Sequence, residues 1–471
     1  MDAGTLRGPI HGLVGGRDVV ITTHAVRGMQ STVDAVRAHG AKRVLVLGGT
    51  EGTGDWPTDI EAVVVPTTVR SMTEEVLALE SLVERMTPEH HAALDAWDPD
   101  RTALVLGNPL TTAPEVGGRP IAGHRRVASA DLEDKATADE LLAAAGVATP
   151  PHEVVRPGEA TPAAARLEQG PRQGVVISAG GRNGGADGVR WVGVGDASEM
   201  AHVLIGAFEG ARGPGLGLVR VAPFVEGTPC SIGALVTGDG VAVLRPVENI
   251  TLRRGRRLVY SGLSTVYDPP AAVRDEMEAA ARRVGEELRR RVDHRGGFAI
   301  DGIVTPDGWL ATEVNTRLSG GFATHPTGGD EPSVALLQVA LLERIDDATF
   351  TAAAIEAVYR PAAEAVRSVR VARVLDAAPA SGPASVAVVA EGRTVRPAEP
   401  DEEPHGRLMV GEAASGGVVL ARLTDESRPL DLGPPAAPLA ASLLDLADQL
   451  WDTGTGGLTP PSAGGAEQVI R

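Results

Sequence analysis

The stretch from Gly297 to Gly321, GFAIDGIVTPDGWLATEVNTRLSGG, constrains the fold more than any other part of the chain. It predicts two short strands joined by a tight turn, because Pro-Asp-Gly at 306–308 suits a three-residue hairpin loop. With that loop, Thr305 pairs with Trp309. The sequence therefore predicts an antiparallel hairpin whose register is set by its turn.

Two acidic side chains and one carboxamide meet on one face of this predicted hairpin. Counting outward from the loop places Asp301 directly opposite Glu313, and Asn315 shares that face because side chains alternate along a strand. Like charges opposite each other destabilise a sheet. A hard cation with oxygen ligands removes that repulsion, and Mg²⁺ held by carboxylates and substrate phosphates fits this donor set. The alternative interpretation is a solvated hairpin that carries ordinary surface acids.

The motif Glu313-Val-Asn315-Thr-Arg317, preceded by an aspartate on the neighbouring strand, resembles the metal-binding signature of the ATP-grasp ligases. The resemblance implies that Asp301, Glu313 and Asn315 hold Mg²⁺, or Mn²⁺ in its place, on the phosphates of ATP. It also implies that Arg317 faces the transferring phosphoryl group, with Arg245 as a second catalytic candidate.

An upstream segment, ASADLEDKATADELLAAAGVATP (128–150), resembles the start of the nucleotide lobe in the same family. Its pattern predicts a helix over 134–145, ended by Gly146. The resemblance implies that Lys135 contacts the phosphates of ATP and takes part in catalysis. Only two of the 44 basic residues are lysines, Lys42 and Lys135, so we favour this role over that of a surface lysine.

The segment VVISAGGRNGGADG (175–188) predicts a strand that enters a glycine-rich loop, whose backbone amides can approach phosphate closely. The resemblance implies a nucleotide-binding role for Ser178, Arg182, Gly184 and Gly185. The family usually has a second lysine where this chain has Ser178. Arg182, within the loop, is the candidate replacement for that charge, although a planar guanidinium is not equivalent to an ammonium group.

The segment VRVAPFVEGTPCSI (219–232) resembles the hinge strand of the family, whose backbone reads the edge of the adenine base. The resemblance implies nucleotide contacts from Phe224, Val225 and Glu226. Pro229 stands where the family commonly has a glutamate that binds the ribose. Glu226 is the candidate substitute, and the mode of ribose recognition stays open.

Length and element order predict several domains around this nucleotide site. At 471 residues the chain exceeds one ordinary core. Before residue 128, strand-like and helical patterns alternate, which is typical of a mainly parallel sheet. We therefore predict an α/β protein with α+β lobes and an ATP-grasp fold, divided into an N-terminal α/β pre-ATP-grasp domain (1–127), a nucleotide lobe (128–217), a metal-binding and catalytic lobe (218–345), a C-terminal extension (346–454) and a disordered tail (455–471).

Other patterns give expectations that a structure can test. Apolar spacing predicts helices over 72–86, 271–292 and 352–359. Pro361 is expected to end the last of these. The glycine-rich loop at 48–54 is either a plain turn or a backbone cradle for an anion. The arginine run at 253–257 is either a solvated turn or a loop that closes over anionic substrate.

Composition bounds the partners of the protein. The net charge of −18 argues against nucleic acid or an anionic membrane surface as a partner. No apolar run approaches the ~18 residues of a membrane span. The beginning of the chain, MDAGTLRGPIHG, lacks the layout of a signal peptide, so we expect a cytoplasmic protein. A single cysteine, Cys230, excludes an intramolecular disulfide and is expected to be a small buried residue.

The order of these segments predicts an ATP-dependent ligase of the carboxylate–amine type. The resemblance implies that ATP activates a carboxylic acid as an acyl phosphate, which an amino-acid or peptide amine then attacks. The nearest resemblance is to pheganomycin-type peptide ligases, which join a nonproteinogenic N-terminal acid to a peptide in natural-product biosynthesis. A homodimer is left open. Two alternatives remain: a non-catalytic nucleotide-binding module, favoured by Ser178, and another acyl-phosphate enzyme such as a carboxylase.

Overall fold

The computed structural model describes residues 4–69, 72–168, 173–182, 186–207, 213–324, 332–345, 349–365, 367–375, 377–380, 382–424, 430 and 433–461. Two sheets carry the fold in these ranges, one of six strands and one of fourteen. Among the helices of these ranges, none combines the length and the apolarity needed to cross a bilayer.

The first sheet forms the N-terminal α/β domain. Its strands are β1 (Val19–Ala25), β2 (Val44–Thr50), β3 (Glu61–Val64), β4 (Leu104–Leu106), β5 (Glu115–Val116) and β6 (Arg119–Ala122). Its helices are α1 (Gly4–Val14), α2 (Gln30–Ala38), α3 (Met72–Glu80) and α4 (Pro88–Trp97). The strand order is β3-β2-β1-β4-β6-β5, and every neighbouring pair except β5–β6 is parallel. The predicted mainly parallel sheet is confirmed.

Two details of this domain differ from expectation or settle an open choice. The helix predicted over 72–86 ends at Glu80, and the guanidinium of Arg85 turns back to donate to the carbonyl of Ala78 at 2.8 Å. Of the predicted glycine-rich loop at 48–54, residues 48–50 belong to strand β2, and the hydroxyl of Thr53 donates to the Glu412 carbonyl. Because strand pairing engages Gly48 and Thr50, the structure favours a plain connection over an anion cradle.

The nucleotide lobe is a small antiparallel layer covered by helices. Its strands are β7 (Glu153–Val155), β8 (Val175–Ala179), β9 (Val189–Val192) and β10 (Val219–Pro223). Its helices are α5 (Val127–Ala130), α6 (Ala138–Ala144), α7 (Ala160–Leu167) and α8 (Ala197–Gly206). Small and branched side chains, among them Ala163, Ile177, Ala201 and Val221, fill the core between α7, α8 and the strands.

The predicted metal-binding lobe (218–345) supplies the centre of the second sheet. Its strands are β11 (Thr228–Val236), β12 (Val241–Arg254), β13 (Arg257–Ser264), β14 (Gly296–Thr305) and β15 (Gly308–Asn315). The predicted helix over 271–292 is confirmed as α9 (Ala271–Val292). Its apolar stripe, including Met277, Val284 and Leu288, packs on Val243 and Phe298 of the sheet. This packing fixes the sheet that carries the acidic hairpin.

The C-terminal extension continues the same sheet. Its strands are β16 (Ser368–Leu375), β17 (Ala384–Glu391), β18 (Thr394–Pro397), β19 (Gly406–Gly411) and β20 (Gly417–Thr424). The extension contains helices α11 (Ala352–Ala365) and α12 (Ala437–Trp451), and helix α10 (Val334–Leu342) precedes it. β16 pairs with β13, where Gly262 is opposite Val371. The extension is therefore hydrogen-bonded to the metal-binding lobe along a shared strand edge.

Helix α11 corrects the prediction that Pro361 ends the helix, because it continues through Pro361 to Ala365. A proline inside a helix removes one backbone hydrogen bond and crowds the preceding turn. Here the helix buries Ile355, Val358 and Ala363 on both sides of the proline. Tertiary burial of that face outweighs the local cost.

The prediction of a disordered tail from residue 455 is wrong for residues 455–461. Leu458 is 4% exposed and belongs to the core of the extension. Thr459 forms an antiparallel bridge with Arg253 of β12. A low-complexity glycine- and proline-rich stretch becomes ordered here because a strand edge and an apolar core are available to it. Residues 462–471 lie outside the described residues.

A buried carboxylate joins the central sheet to the extension. Glu248 of β12 is 1% exposed and accepts hydrogen bonds from the backbone N–H groups of Ala436 (2.8 Å) and Ala437 (3.2 Å), at the start of α12. Burial raises the pKa of Glu248 to about 7, and the two hydrogen bonds only partly oppose this. The neighbour opposite it in β11, Cys230, is fully buried, as expected for this cysteine.

We expect Glu248 to make the stability of the protein depend on pH. Because its folded-state pKa lies above the unfolded value, the folded state binds the proton more tightly, and stability is lost as the pH rises from near 4.5 towards 7. Glu248→Gln removes this term. The difference in free energy of unfolding between wild type and variant, measured by urea titration, should change by up to about 3 kcal/mol between acidic and mildly alkaline pH. A difference that is flat with pH would contradict the prediction.

Candidate active site

The acidic hairpin places Asp301 opposite Glu313 as predicted, but the strand register next to its turn differs from the prediction. Thr305 pairs with Gly308, not with Trp309, so the loop is one residue shorter than expected. A bulge between the pairs of Asp301 and Gly302 then shifts the register back. The two changes cancel, and Asp301 lies directly opposite Glu313.

The oxygen atoms on this hairpin fit a hard divalent cation. Asp301 accepts hydrogen bonds from Asn315 (3.0 Å) and from Asn249 of β12 (3.1 Å). Burial, and then the nearby charge of Glu313, raise the pKa of Asp301 above its usual value. Among the described residues, no group of three or more His, Cys, Asp or Glu side chains is arranged to hold a metal. Two carboxylates and one carboxamide, completed by substrate phosphates, are the kind of set that Mg²⁺ accepts.

Two cations lie against this donor set. Lys135 is 7% exposed, and its ammonium group forms an ion pair with the carboxylate of Glu313. Arg317 donates to the side-chain oxygen of Asn315 at 3.1 Å and lies 3.4 Å from the carboxylate of Glu133. Lys135 is therefore a buried residue of the site and not a surface lysine. It compensates the charge of Glu313, a predicted metal ligand.

Lys135 reaches Glu313 because the predicted helix begins later than expected. Helix α6 starts at Ala138, and residues 135–137 form a turn. The carboxylate of Asp134 stabilises this turn by accepting from the backbone N–H of Ala136 (2.9 Å) and of Gly215 (2.7 Å). Asp134 is fully buried, and these bonds hold the backbone beside Lys135 in an extended conformation.

A buried ion pair between Arg125 and Glu133 lies beside the hairpin, and the sequence did not predict it. Arg125, which is 4% exposed, donates to Glu133 (2.6 Å) and to the hydroxyl of Thr316 (3.0 Å). Burial favours a raised pKa for Glu133, but the charges of Arg125 and Arg317 prevail and lower it. Glu133 therefore stays ionised and orients Arg317. Arg125 precedes the segment at 128–150 that resembles the ATP-grasp family. The basic residues next to it in the sequence were therefore the only signal that could have predicted its role.

A cavity of about 430 Å³ extends from the hairpin to the hinge strand. Phe224 and Val225, both predicted nucleotide contacts, line this cavity together with Leu258, as do the acidic residues of the hairpin. Phe224 stacks on Trp191 with ring centroids 3.8 Å apart and an interplanar angle of 10°. Trp191 is fully buried. The lining of the cavity thus combines an apolar wall, built on this aromatic stack, with carboxylates and cations.

Ser178 lines the same cavity, and the cation beside it is Arg220. Ser178 of β8 pairs with Arg220 of β10 in register. Arg220 also lines the cavity and forms a two-point ion pair with Asp139, at 2.6 Å and 3.0 Å. Arg220 was not predicted as a site residue, because strand pairing, not spacing along the chain, brings it there. Asp139 neutralises its charge.

The other predicted nucleotide residues lie as follows. Arg182 donates to Glu80 of α3 at 2.8 Å, so the described contact of this loop residue is with the N-terminal domain. Glu226 is not part of the cavity lining, although its neighbours Val225 and Gly227 are. Gly184 and Gly185 lie outside the described residues. The structure therefore brings Ser178, Phe224 and Val225 to the cavity and gives Arg182 another partner.

Arg245 lies outside the cavity lining. Its side chain is 1% exposed and faces Asp268 at 3.6 Å and Glu364 at 3.7 Å. These acids also pair with Arg274 of α9. Because β12 turns Arg245 towards α9 and α11, the geometry favours a packing role for it over contact with a transferring group.

Residues 132–321 of this chain match the family model described as "ATP-grasp domain". The D-alanine--D-alanine ligase of Mycobacterium sp. (strain KMS) is 30% identical over 219 residues, which are 45% of this chain and 56% of that protein. The D-alanine--D-alanine ligase of Mycobacterium tuberculosis (strain H37Rv) is 27% identical over the same length. The chain thus spans about half the length of the curated relatives it matches.

A solved structure shows that the likeness extends beyond the matched domain. The crystal structure of a biotin carboxylase–β,γ-ATP complex from Campylobacter jejuni aligns over 87% of this chain and 88% of its own, with a TM-score of 0.52. Sequence identity is 12%, so the comparison establishes a shared fold and nothing about substrate. The predicted fold class, α/β with an ATP-grasp domain, is confirmed.

Proposed function

We propose that this chain is an ATP-dependent ligase that joins a carboxylic acid to an amino-acid or peptide amine through an acyl phosphate, releasing ADP and phosphate. One observation carries the proposal: Asp301 and Glu313 are paired directly, with Asn315 beside them, in a cavity that also has an apolar wall. That layout suits a nucleoside triphosphate, with its base on the stack of Phe224 and its phosphates at the acids. The similarity to D-alanine--D-alanine ligases supports the reaction class.

The first half of the proposed reaction transfers a phosphoryl group. A carboxylate oxygen of the acid attacks the terminal phosphorus of ATP, the bond from that phosphorus to the bridging oxygen breaks, and ADP leaves with the electron pair. Lys135 and Arg317 neutralise the charge on the phosphoryl oxygens. Bound Mg²⁺, or Mn²⁺, at Asp301, Glu313 and Asn315 supplies further charge neutralisation on the phosphates.

The second half forms the amide. The amine nitrogen attacks the acyl carbon, and phosphate leaves with one oxygen that belonged to the carboxylate. The amine gives up a proton in this step, to the departing phosphate or to water. Glu133 keeps Arg317 oriented towards the cavity, since it lies 3.4 Å from the guanidinium. Positioning and charge neutralisation account for the whole of the protein's part in this scheme.

The substrate class within this proposal follows the pheganomycin-type resemblance: a nonproteinogenic acid joined to a peptide in natural-product biosynthesis. The acid and the amine are small molecules or peptides, and a cytoplasmic location belongs to the same proposal, whereas a homodimer is left open. A panel of carboxylic acids, incubated with ATP and hydroxylamine and scored for hydroxamate and ADP, tests it. If no acid of a broad panel gave either hydroxamate or ADP, the result would count against ligase activity.

A non-catalytic nucleotide-binding module is the second candidate. Two observations favour it: Ser178 replaces the lysine usual in the family, and Arg182 is paired with Glu80. Arg220 beside Ser178 offsets this by supplying a cation at the cavity wall. Steady ADP release that requires both an acid and an amine would exclude the module, whereas tight ATP binding without turnover would establish it.

We expect an oxygen-18 label in the substrate carboxylate to appear in the released phosphate. Attack of the carboxylate on the terminal phosphorus places one of its oxygens on that phosphorus, and the amine displaces it as phosphate. Mass spectrometry of phosphate and nucleotide products reads the outcome, with unlabelled acid as the control. Label in AMP would identify an adenylate-forming enzyme and exclude the acyl-phosphate mechanism, even with the same fold.

A further inference from the structure

A segment of the C-terminal extension reaches the cavity that Phe224 and Leu258 also line. We call residues 454–461 the terminal segment. Pro461 lines the cavity of about 430 Å³, as do Thr251 of β12 and Leu258 of β13. The matched ATP-grasp domain ends at residue 321, so this wall comes from a part of the chain outside it.

The terminal segment is held in place by backbone pairing. The N–H of Arg253 donates to the carbonyl of Thr459 at 2.8 Å, and the N–H of Thr459 donates back at 3.2 Å. β11 pairs with β12 only as far as Glu248, which leaves the edge of β12 beyond that point open. Thr459 occupies this edge beside the hinge. An edge that would otherwise present unpaired backbone groups is thereby covered.

Side chains on both sides reinforce the pairing. Arg254 donates to the carbonyl of Gly454 at 2.9 Å and also bonds the carbonyl of Gly456. Leu458 is 4% exposed and packs in one core with Ile250 and Leu252. The arginine run at 253–257 is therefore not simply a solvated turn, because Arg254 binds the terminal segment. The segment is an ordered wall and not a loosely attached tail.

The arginine run also connects the segment to the base end of the cavity. The guanidinium of Arg253 lies 5.9 Å from the ring centroid of Trp191, the residue on which Phe224 stacks. Arg256, in the same run, instead pairs with Asp196 of the nucleotide lobe at 2.5 Å. Arg253 thus carries backbone pairing with Thr459 and a side-chain contact with the aromatic stack.

We propose that the terminal segment forms part of the nucleotide site: it walls the base end of the cavity and so makes the protein prefer a nucleoside triphosphate over a bare polyphosphate. The inference rests on the proposed function in that ATP is taken as the ligand. Pro461 shields the base from water at the open edge of β12, while Arg254 and Thr459 set its position. The C-terminal extension then contributes to ATP affinity without touching the reacting atoms.

The test compares two arginines of one run in the full-length protein. Arg254→Met keeps the aliphatic stem and removes the donors to the terminal segment, whereas Arg256→Met removes a pair that does not involve it. Dissociation constants are measured calorimetrically for magnesium-bound ATP and magnesium-bound tripolyphosphate. Arg254→Met should weaken ATP by about tenfold and leave tripolyphosphate unchanged, because only ATP carries a base. Arg256→Met should match wild type for both ligands.

A second variant covers the case in which Arg254→Met does not fold. Pro461→Gly removes wall atoms from the segment and leaves its anchors, so it should weaken ATP in the same direction and spare tripolyphosphate. Wild-type affinity for ATP in every folded variant, or equal losses for both ligands, overturns the inference and leaves the proposed function standing. A wild-type protein that binds no ATP overturns the proposed function itself.

Discussion

Glu313→Gln is expected to lower turnover by at least about 100-fold, the range for loss of one electrostatic contact to a transferring group. The substitution keeps the shape of the side chain and removes one of the two charges in the predicted metal donor set. Its effect on folding should be small for two reasons. Removing one of two opposed carboxylates relieves repulsion in the hairpin. The ammonium group of Lys135, which loses its pair with Glu313, keeps the nearby charge of Asp301.

A matched control lies on the same hairpin. Asp307 is exposed at the turn, so Asp307→Asn removes one carboxylate from the same element at a distance from the cavity. Its turnover should equal that of wild type, and the thermal midpoints of both variants should stay close to the wild-type value. A Glu313→Gln protein that binds magnesium-bound ATP and turns over normally would remove the hairpin from the catalytic site.

Lys135→Met should weaken ATP binding or slow phosphoryl transfer by about 10- to 100-fold, since a hydrogen bond from a charged donor contributes about 1.5–3 kcal/mol. The ammonium group is buried against Glu313, so it is available to the phosphates once Glu313 takes up a metal. In the ligand-free variant Glu313 loses its counter-charge. We therefore expect Mg²⁺ alone to raise the thermal midpoint of Lys135→Met more than that of wild type.

The chain offers its own control for this experiment. Lys42 is the other lysine, and it is exposed in the N-terminal domain. Lys42→Met makes the same chemical change away from the cavity and should leave ATP affinity, turnover and the response to Mg²⁺ unaltered. Equal behaviour of Lys135→Met and Lys42→Met would return Lys135 to the status of an ordinary lysine.

The acidic hairpin shows how far local sequence reasoning reaches. The facing of Asp301 and Glu313 was predictable because a turn and the alternation of side chains are properties of a few neighbouring residues. The route to it was not, since the predicted loop was one residue too long and no bulge was foreseen. Gly302 leaves no room for a Cβ beside the Trp309 ring, a tertiary contact that sequence spacing does not reveal.

Partners of charged residues were the least predictable part of the site. Arg182 was expected at phosphate, but it pairs with Glu80, which is 102 positions away in the chain. Arg220 reaches the cavity through strand pairing with Ser178, and Arg125 reaches Thr316 from the linker before the domain. A charge finds its partner by proximity in space, and long-range pairings of this kind leave no periodic signal.

The sequence by itself determined the elements whose causes are local: α9 with its apolar stripe, the glycine-rich strand end at Ser178 and the acidic hairpin. Only the tertiary structure decided where the described residues of the C-terminal extension, between 349 and 461, belong. β16 joins β13 edge to edge, and Thr459 pairs with Arg253 beside the nucleotide cavity. The physical reason is that a free strand edge can pair with any segment that has a suitable backbone. Which segment pairs there depends on which one lies next to that edge in the completed fold.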